Sequence, residues 1–173
     1  MITRDPVAVS AAMRDAAKAF LRIDGSADDA ALTALIGAAI VEAETFSCAM
    51  LIARDVAETL ELDARWRTLG AGPVTAITAV TAIGGSALPV GAVEIDIDTH
   101  GDGRLRARQA AIQRVRVGYR AGLVEDWPDL PEPLRHGVLR LVALLHAARD
   151  GAGAVESAPV LATLRPHRRM KLS

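Results

Sequence analysis

Apolar residues recur at three- and four-residue steps in three stretches of the chain, and alternate with polar ones between the second and the third. Val9, Met13, Ala16 and Phe20 form the first stripe. Asp5 as N-cap and Pro6 at the first helical position predict where that helix opens, and Asp24-Gly25-Ser26 predicts where it closes. Leu32, Leu35, Ile36, Ala39, Ile40, Ala43 and Phe46 give the second and longest helical period. Ser26 and Asp29 have the spacing of a capping box before it. Leu134, Val138, Leu141, Val142 and Leu145 define a closing amphipathic helix, with Arg149 in its last turn and Gly151 and Gly153 as stop signals. Residues 50–62 suit a strand or a helix. Residues 74–83, 90–97, 105–111 and 114–121 read as strands, with Gly84-Gly85 and the 98–103 stretch as turns. In the last of these, Val115, Val117, Tyr119 and Ala121 alternate with Arg114, Arg116, Gly118 and Arg120, which is one apolar and one basic face.

The order of these elements predicts a helix-rich α+β fold: an N-terminal helix pair, a small antiparallel β region, the closing helix, and an extended basic C-terminal tail. A main domain over 1–150 is expected, followed by a linker and tail over 151–173. Gly151, Gly153, Ser157 and Pro159 give residues 151–159 the composition of a flexible tether. Residues 160–172 are expected to order only on a partner. The stretch from Thr68 to Val93 holds no charge, but Pro73, Gly84, Gly85 and Pro89 break it, which predicts strands and no membrane helix. Arg4, Asp5 and Arg14 interrupt any apolar leader.

Thirty-four alanines supply much of the hydrophobic content, and aromatics are only 3% of the 173 residues. Alanine buries little area, so close helix packing and extra burial between subunits are expected. The net charge of −1 hides a gradient: −6 over 1–63, +2 over 64–150 and +3 over 151–173. Such a gradient suits head-to-tail contacts or a tail that reaches an acidic partner. The single cysteine, Cys48, cannot form an internal disulfide and reads as a small buried hydrophobe among Phe46, Met50 and Leu51.

Chemistry finds no purchase. Asp96, Asp98, His100, Gly101 and Asp102 resemble the start of a calcium loop, but Ala107 stands where the bidentate carboxylate belongs. The four histidines lack metal-ligand spacing, and no serine has a nucleophile-elbow context. No cofactor and no catalytic function are therefore expected. Glu94, Asp96 and Asp98 fall on one strand face by the two-residue period. They form a polar outer face or, functionally, an acidic lining past which DNA slides. The arginines at 104, 106, 108, 114, 116 and 120 lack the interleaved aromatics of a base-stacking sheet, and suit inter-subunit salt bridges or a solvated face. In the tail, Arg165, Arg168, Arg169 and Lys171 alternate with Leu164, Met170 and Leu172, a pattern for docking as well as for solvation.

Several segments taken in order resemble the head–tail connector (adaptor) family of long-tailed phages and of alphaproteobacterial gene transfer agents. They are Leu21-Arg22-Ile23-Asp24-Gly25-Ser26 with the helix at 32–44, Gly72-Pro73-Val74 leading to Ile83, Val115-Arg116-Val117-Gly118-Tyr119-Arg120-Ala121-Gly122, and Trp127-Pro128-Asp129-Leu130-Pro131-Glu132-Pro133-Leu134. The tail at 161–172 is similar to the basic terminus of the gene transfer agent adaptors. Relatives often carry an aromatic residue where Ala147 stands here. The resemblance implies a structural ring subunit, usually dodecameric, between the portal protein and a tail-side stopper or tail terminator protein, with DNA passing non-specifically through the lumen. It implies assembly in the host bacterial cytoplasm, a final place at the neck, and no membrane. On this reading Leu164, Arg165, Arg168, Arg169, Met170 and Lys171 dock into the portal, and Glu94, Asp96 and Asp98 face the lumen. Two alternatives are a stopper or other tail-proximal ring protein, and a cytosolic α+β ligand-binding or regulatory protein.

Overall fold

The structure is a computed structural model and describes residues 1–84, 88–89, 91–108, 113–149 and 157–169. These fall into two compact units, one of residues 1–5 and 52–123, the other of residues 6–51 and from Val124 onward. The helix-rich α+β class read from the sequence is the observed one.

The first unit is all β. Strands β1 (Ile2–Arg4), β2 (Arg54–Leu62), β4 (Val74–Ala82) and β7 (Gln113–Ala121) form an antiparallel sheet in the order β1-β2-β7-β4. Strands β3 (Arg67–Thr68), β5 (Val93–Ile97) and β6 (Gly103–Ala107) form a second, in the order β3-β6-β5. The ambiguous 50–62 segment is strand because β7 pairs along its whole length, from Arg54↔Ala121 to Leu62↔Gln113. That register buries Val56 and Leu62 with Val115, Val117, Tyr119 and Ala121. On the other face it sets Asp55 opposite Arg120 and Glu61 opposite Arg114, so the basic face of β7 is met by acids from β2.

The second unit is helical: α1 (Ala11–Leu21), α2 (Asp29–Ser47), α3 (Glu132–Arg149) and the short α4 (Ala158–Ala162). Helix α2 packs against both α1 and α3. It buries Leu32, Ile36, Ala39, Ile40 and Ala43 of the stripe that its periodicity predicts, with Leu35 and Phe46 half-buried, while Leu134, Val138, Leu141 and Val142 of α3 are also fully buried. The Pro-rich connection makes a 3-10 turn at Trp127–Asp129 that buries Trp127 and Leu130.

Four local expectations are corrected. Asp5 does not cap α1, because residues 2–4 are taken up by β2 and Asp5 N donates to Asp55 O. The cap is Ser10, whose hydroxyl accepts from Met13 N. The Ser26 capping box does not form either. Asp28 is the N-cap of α2, and Asp29 N bonds to the Ser26 backbone oxygen. Cys48 is exposed. It ends α2 in the left-handed conformation at φ 54, one residue past the fully buried Ser47, so its thiol turns away from the buried stripe.

The last correction concerns the tail. Residues 157–169 do not wait for a partner to order: Val160 and Leu164 are buried, a 3-10 turn follows at Arg165–His167, and Arg169 N donates to Ser47 O at 2.8 Å. Of the expected tether over 151–159, residues 151–156 lie outside the described residues.

Candidate assembly surfaces

Glu94 and Asp96 do lie on one face of β5, as the two-residue period requires, but antiparallel pairing sets each opposite an arginine of β6: Glu94↔Arg106 and Asp96↔Arg104. Arg106 Nε donates to Glu94 Oε2 at 2.6 Å and Arg104 Nε to Asp96 Oδ2 at 2.7 Å. Arg108 Nε adds a second contact to Glu94 at 3.2 Å. Trp66 lies against this ladder, with the Arg106 guanidinium 4.7 Å and the Arg104 guanidinium 5.6 Å from its ring centre. The expected acidic face is thus corrected to a charge-compensated one. An arginine stands beside each strand carboxylate, and the aromatic surface between them is shared with the cations.

Asp98 is not part of that ladder. Its carboxylate accepts from His100 N and Asp102 N, both at 2.9 Å, and so closes the β5–β6 turn. The backbone donor of Asp102, more than that of His100, holds this carboxyl below the usual carboxylate range. The five residues that resembled a calcium loop are thereby a turn organised by one aspartate.

The tail candidates separate by environment. Leu164 is wholly buried. It lies over Gly137 in α3, where an added Cβ would overlap Leu164 Cδ2. Glycine in a helix interior is unfavourable by about 1 kcal/mol relative to alanine, and here its missing side chain is the space that the leucine fills. Leu164 is therefore spent on its own unit. Arg165 and Arg168 are exposed, Arg169 is half-buried, and Met170 and Lys171 lie outside the described residues. Two features escaped the sequence reading. Gly137 was a detectable signal, as a glycine within an apolar helical period. The stacking of Trp66 was not, because it depends on the register of strands nearly forty residues away.

Tyr119 organises the core of the first unit. Its hydroxyl donates to Glu58 Oε2 at 2.9 Å and accepts from Ala71 N at 3.1 Å, while Gly70 N donates to the same Glu58 oxygen at 2.8 Å. Burial and then the Glu58 carboxylate push the phenol well above its ordinary range. In the second unit, Glu44 is buried because its Oε1 accepts from Leu51 N at 2.8 Å, tying the chain that leaves α2. In both arrangements the carboxylate is matched to a backbone donor. No group of three or more metal-ligating side chains assembles among the described residues.

No family model and no curated protein matches the chain. Solved structures do. A chain in the neck of an empty gene transfer agent particle, computed with C6 symmetry, superposes with TM-score 0.76 at 25% identity, covering 100% of this chain and 97% of that one. A chain in the virion of a native gene transfer agent particle gives TM-score 0.72, again at 25% identity over 100% and 97%. One in the neck of the native particle, computed with C12 symmetry, gives 0.68 at 25% identity over 99% and 97%. The likeness read from scattered motifs is therefore a likeness of the whole chain, which is similar in fold and in sequence to a protein of the gene transfer agent neck.

Proposed function

We propose that the protein is a head–tail adaptor, a structural subunit that assembles as a ring between the portal and the tail of a gene transfer agent or phage-like particle, with DNA passing through the lumen. The single observation that carries this is the match along essentially the whole of both chains to neck proteins reconstructed with six- and twelve-fold symmetry. A twelve-copy ring follows as the expected stoichiometry, with a tail-side stopper or terminator on its far face. The role is positional, so the chain needs affinity and shape, not a reaction.

The docking end in this proposal is the C-terminal segment. The fold supports a division of labour within it: Val160 and Leu164 anchor the segment to its own helices, while Arg165 and Arg168 project from the anchored turn. Guanidinium groups held in place suit carboxylates on a portal, and a ring multiplies a modest affinity per copy. Arg169, Met170 and Lys171 continue the contact. Deleting the segment would strip Leu164 from the core, so charge reversal is the cleaner test. Arg165→Glu combined with Arg168→Glu is expected to leave a folded subunit and DNA-filled heads, while tailed particles drop in number. Tail attachment at the normal frequency by a subunit that carries both changes would contradict portal docking through this segment.

A further inference from the structure

An open groove of about 230 Å³ in the first unit is lined by uncharged residues, among them Ile77, Thr78, Val80, Leu88, Val93 and Ile95. It runs between β4 and β5, each the edge strand of its sheet among the described residues. Exposed edges are usually guarded by charge, yet β4 (VTAITAVTA) carries none. On β5 the two-residue alternation puts Glu94 and Asp96 on the opposite face, where the arginines of β6 meet them, and Val93 and Ile95 toward the groove. Ile95 is 48% exposed.

An uncharged surface is exposed in the second unit. The exposed positions of α2 are Ala30, Ala34, Ala38, Val41 and Thr45, a stripe at helical spacing without a single charge. A helix that faces only water carries its polar residues there. Val41, the largest of the five, is 52% exposed. Rotational symmetry of the kind found in the similar neck structures is built from contacts in which one face of a subunit meets a different face of the next. An uncharged groove and an uncharged helix face on the same chain meet that requirement.

We infer that the β4–β5 groove of one copy receives the outer face of α2 from the next copy, with Val41 as the anchor and Ala38 and Thr45 allowing close approach around it. This rests on the ring reading above and names the surfaces that close the ring.

The test uses the full chain in a Cys48→Ser background, with Val41→Cys and Ile95→Cys introduced singly and together, at positions exposed enough to leave the fold intact. The double variant should oxidise to a ladder of dimers, trimers and larger species, because every copy then carries both halves of the contact. Its cross-linking should run about tenfold faster than that of a control pairing Val41→Cys with Leu123→Cys, since an oriented contact raises effective concentration. The single variants should give no ladder. Dimers from Val41→Cys alone, equal rates for the control pair, or no cross-link would each overturn the inference. The same variants are assayed in the particle fraction, which separates the two claims. A chain present at the neck but not cross-linked through these positions contradicts only the interface. A ladder from a chain never found in particles contradicts only the neck reading.

Discussion

Tyr119 shows how much one side chain organises in this molecule. Its hydroxyl links β7 to the Glu58 carboxylate of β2 and to the backbone at Ala71, in a site that is 1% exposed. Tyr119→Phe leaves the Ala71 N–H without this acceptor and removes a donor from the carboxylate. The expected cost is about 1–3 kcal/mol, read from chemical denaturation. The pH dependence has a definite sign. The folded phenol holds its proton above the ordinary value, whereas the unfolded chain releases it near pH ~10. Above that pH the unfolded state binds fewer protons than the folded one, so stability falls as pH rises toward the folded pKa and is fully present below the ordinary one. Tyr119→Phe should lose that part of the slope. Because the chain has one tyrosine, tyrosinate absorbance reports the group directly, and it should appear only as the protein unfolds. Ionisation in the ordinary range with the fold intact would contradict the buried network.

Gly137 and Leu164 carry the argument at the level of elements, because their contact decides whether the C-terminal segment is docked or loose. Gly137→Ala improves the intrinsic helix propensity of α3 by about 1 kcal/mol, yet sets a methyl where Leu164 Cδ2 lies. The expected result is release of residues 157–169 with α3 itself intact, seen as faster limited proteolysis after Arg168 and Arg169 (the Arg165–Pro166 bond being resistant) with little change in helix content. Leu164→Ala should release the same segment by leaving a cavity, at a cost of about 2–5 kcal/mol if the site does not collapse. Unchanged protease resistance in both variants would contradict the latch.

The same elements show which parts of the fold could be read in advance. Helices α2 and α3 were legible because their apolar residues repeat over many turns, and β7 because Val115, Val117, Tyr119 and Ala121 alternate without a break. The start of α1 was not, since Asp5 and Pro6 have the local chemistry of a helix start while residues 2–4 are claimed by a strand more than fifty positions away. Long-range pairing likewise hid the compensation of Glu94 and Asp96: the face was readable from β5, but its neighbours come from the register of β6. The tail was misread for a related reason. Alternating basic and apolar residues look alike whether the apolar ones seek a partner or their own helices, and only the vacancy at Gly137 tells the two apart.

At the scale of the whole molecule the account rests on a fold shared with neck proteins over nearly the entire length of both chains. The charge gradient, from −6 over residues 1–63 to +3 over residues 151–173, fits a subunit whose copies meet head to tail and whose basic end meets another protein. The uncharged faces at α2 and at the β4–β5 edge fit the same geometry. The most direct measurement is electron cryo-microscopy of the particles made by cells carrying this chain, with a small rigid tag on the exposed Leu123 to mark the subunit. The account predicts tag density repeated in a ring at the junction of head and tail, present in tailed particles and lost when Arg165 and Arg168 are both reversed. Tag density on the capsid shell, along the tail tube, or absent from particles altogether would contradict it.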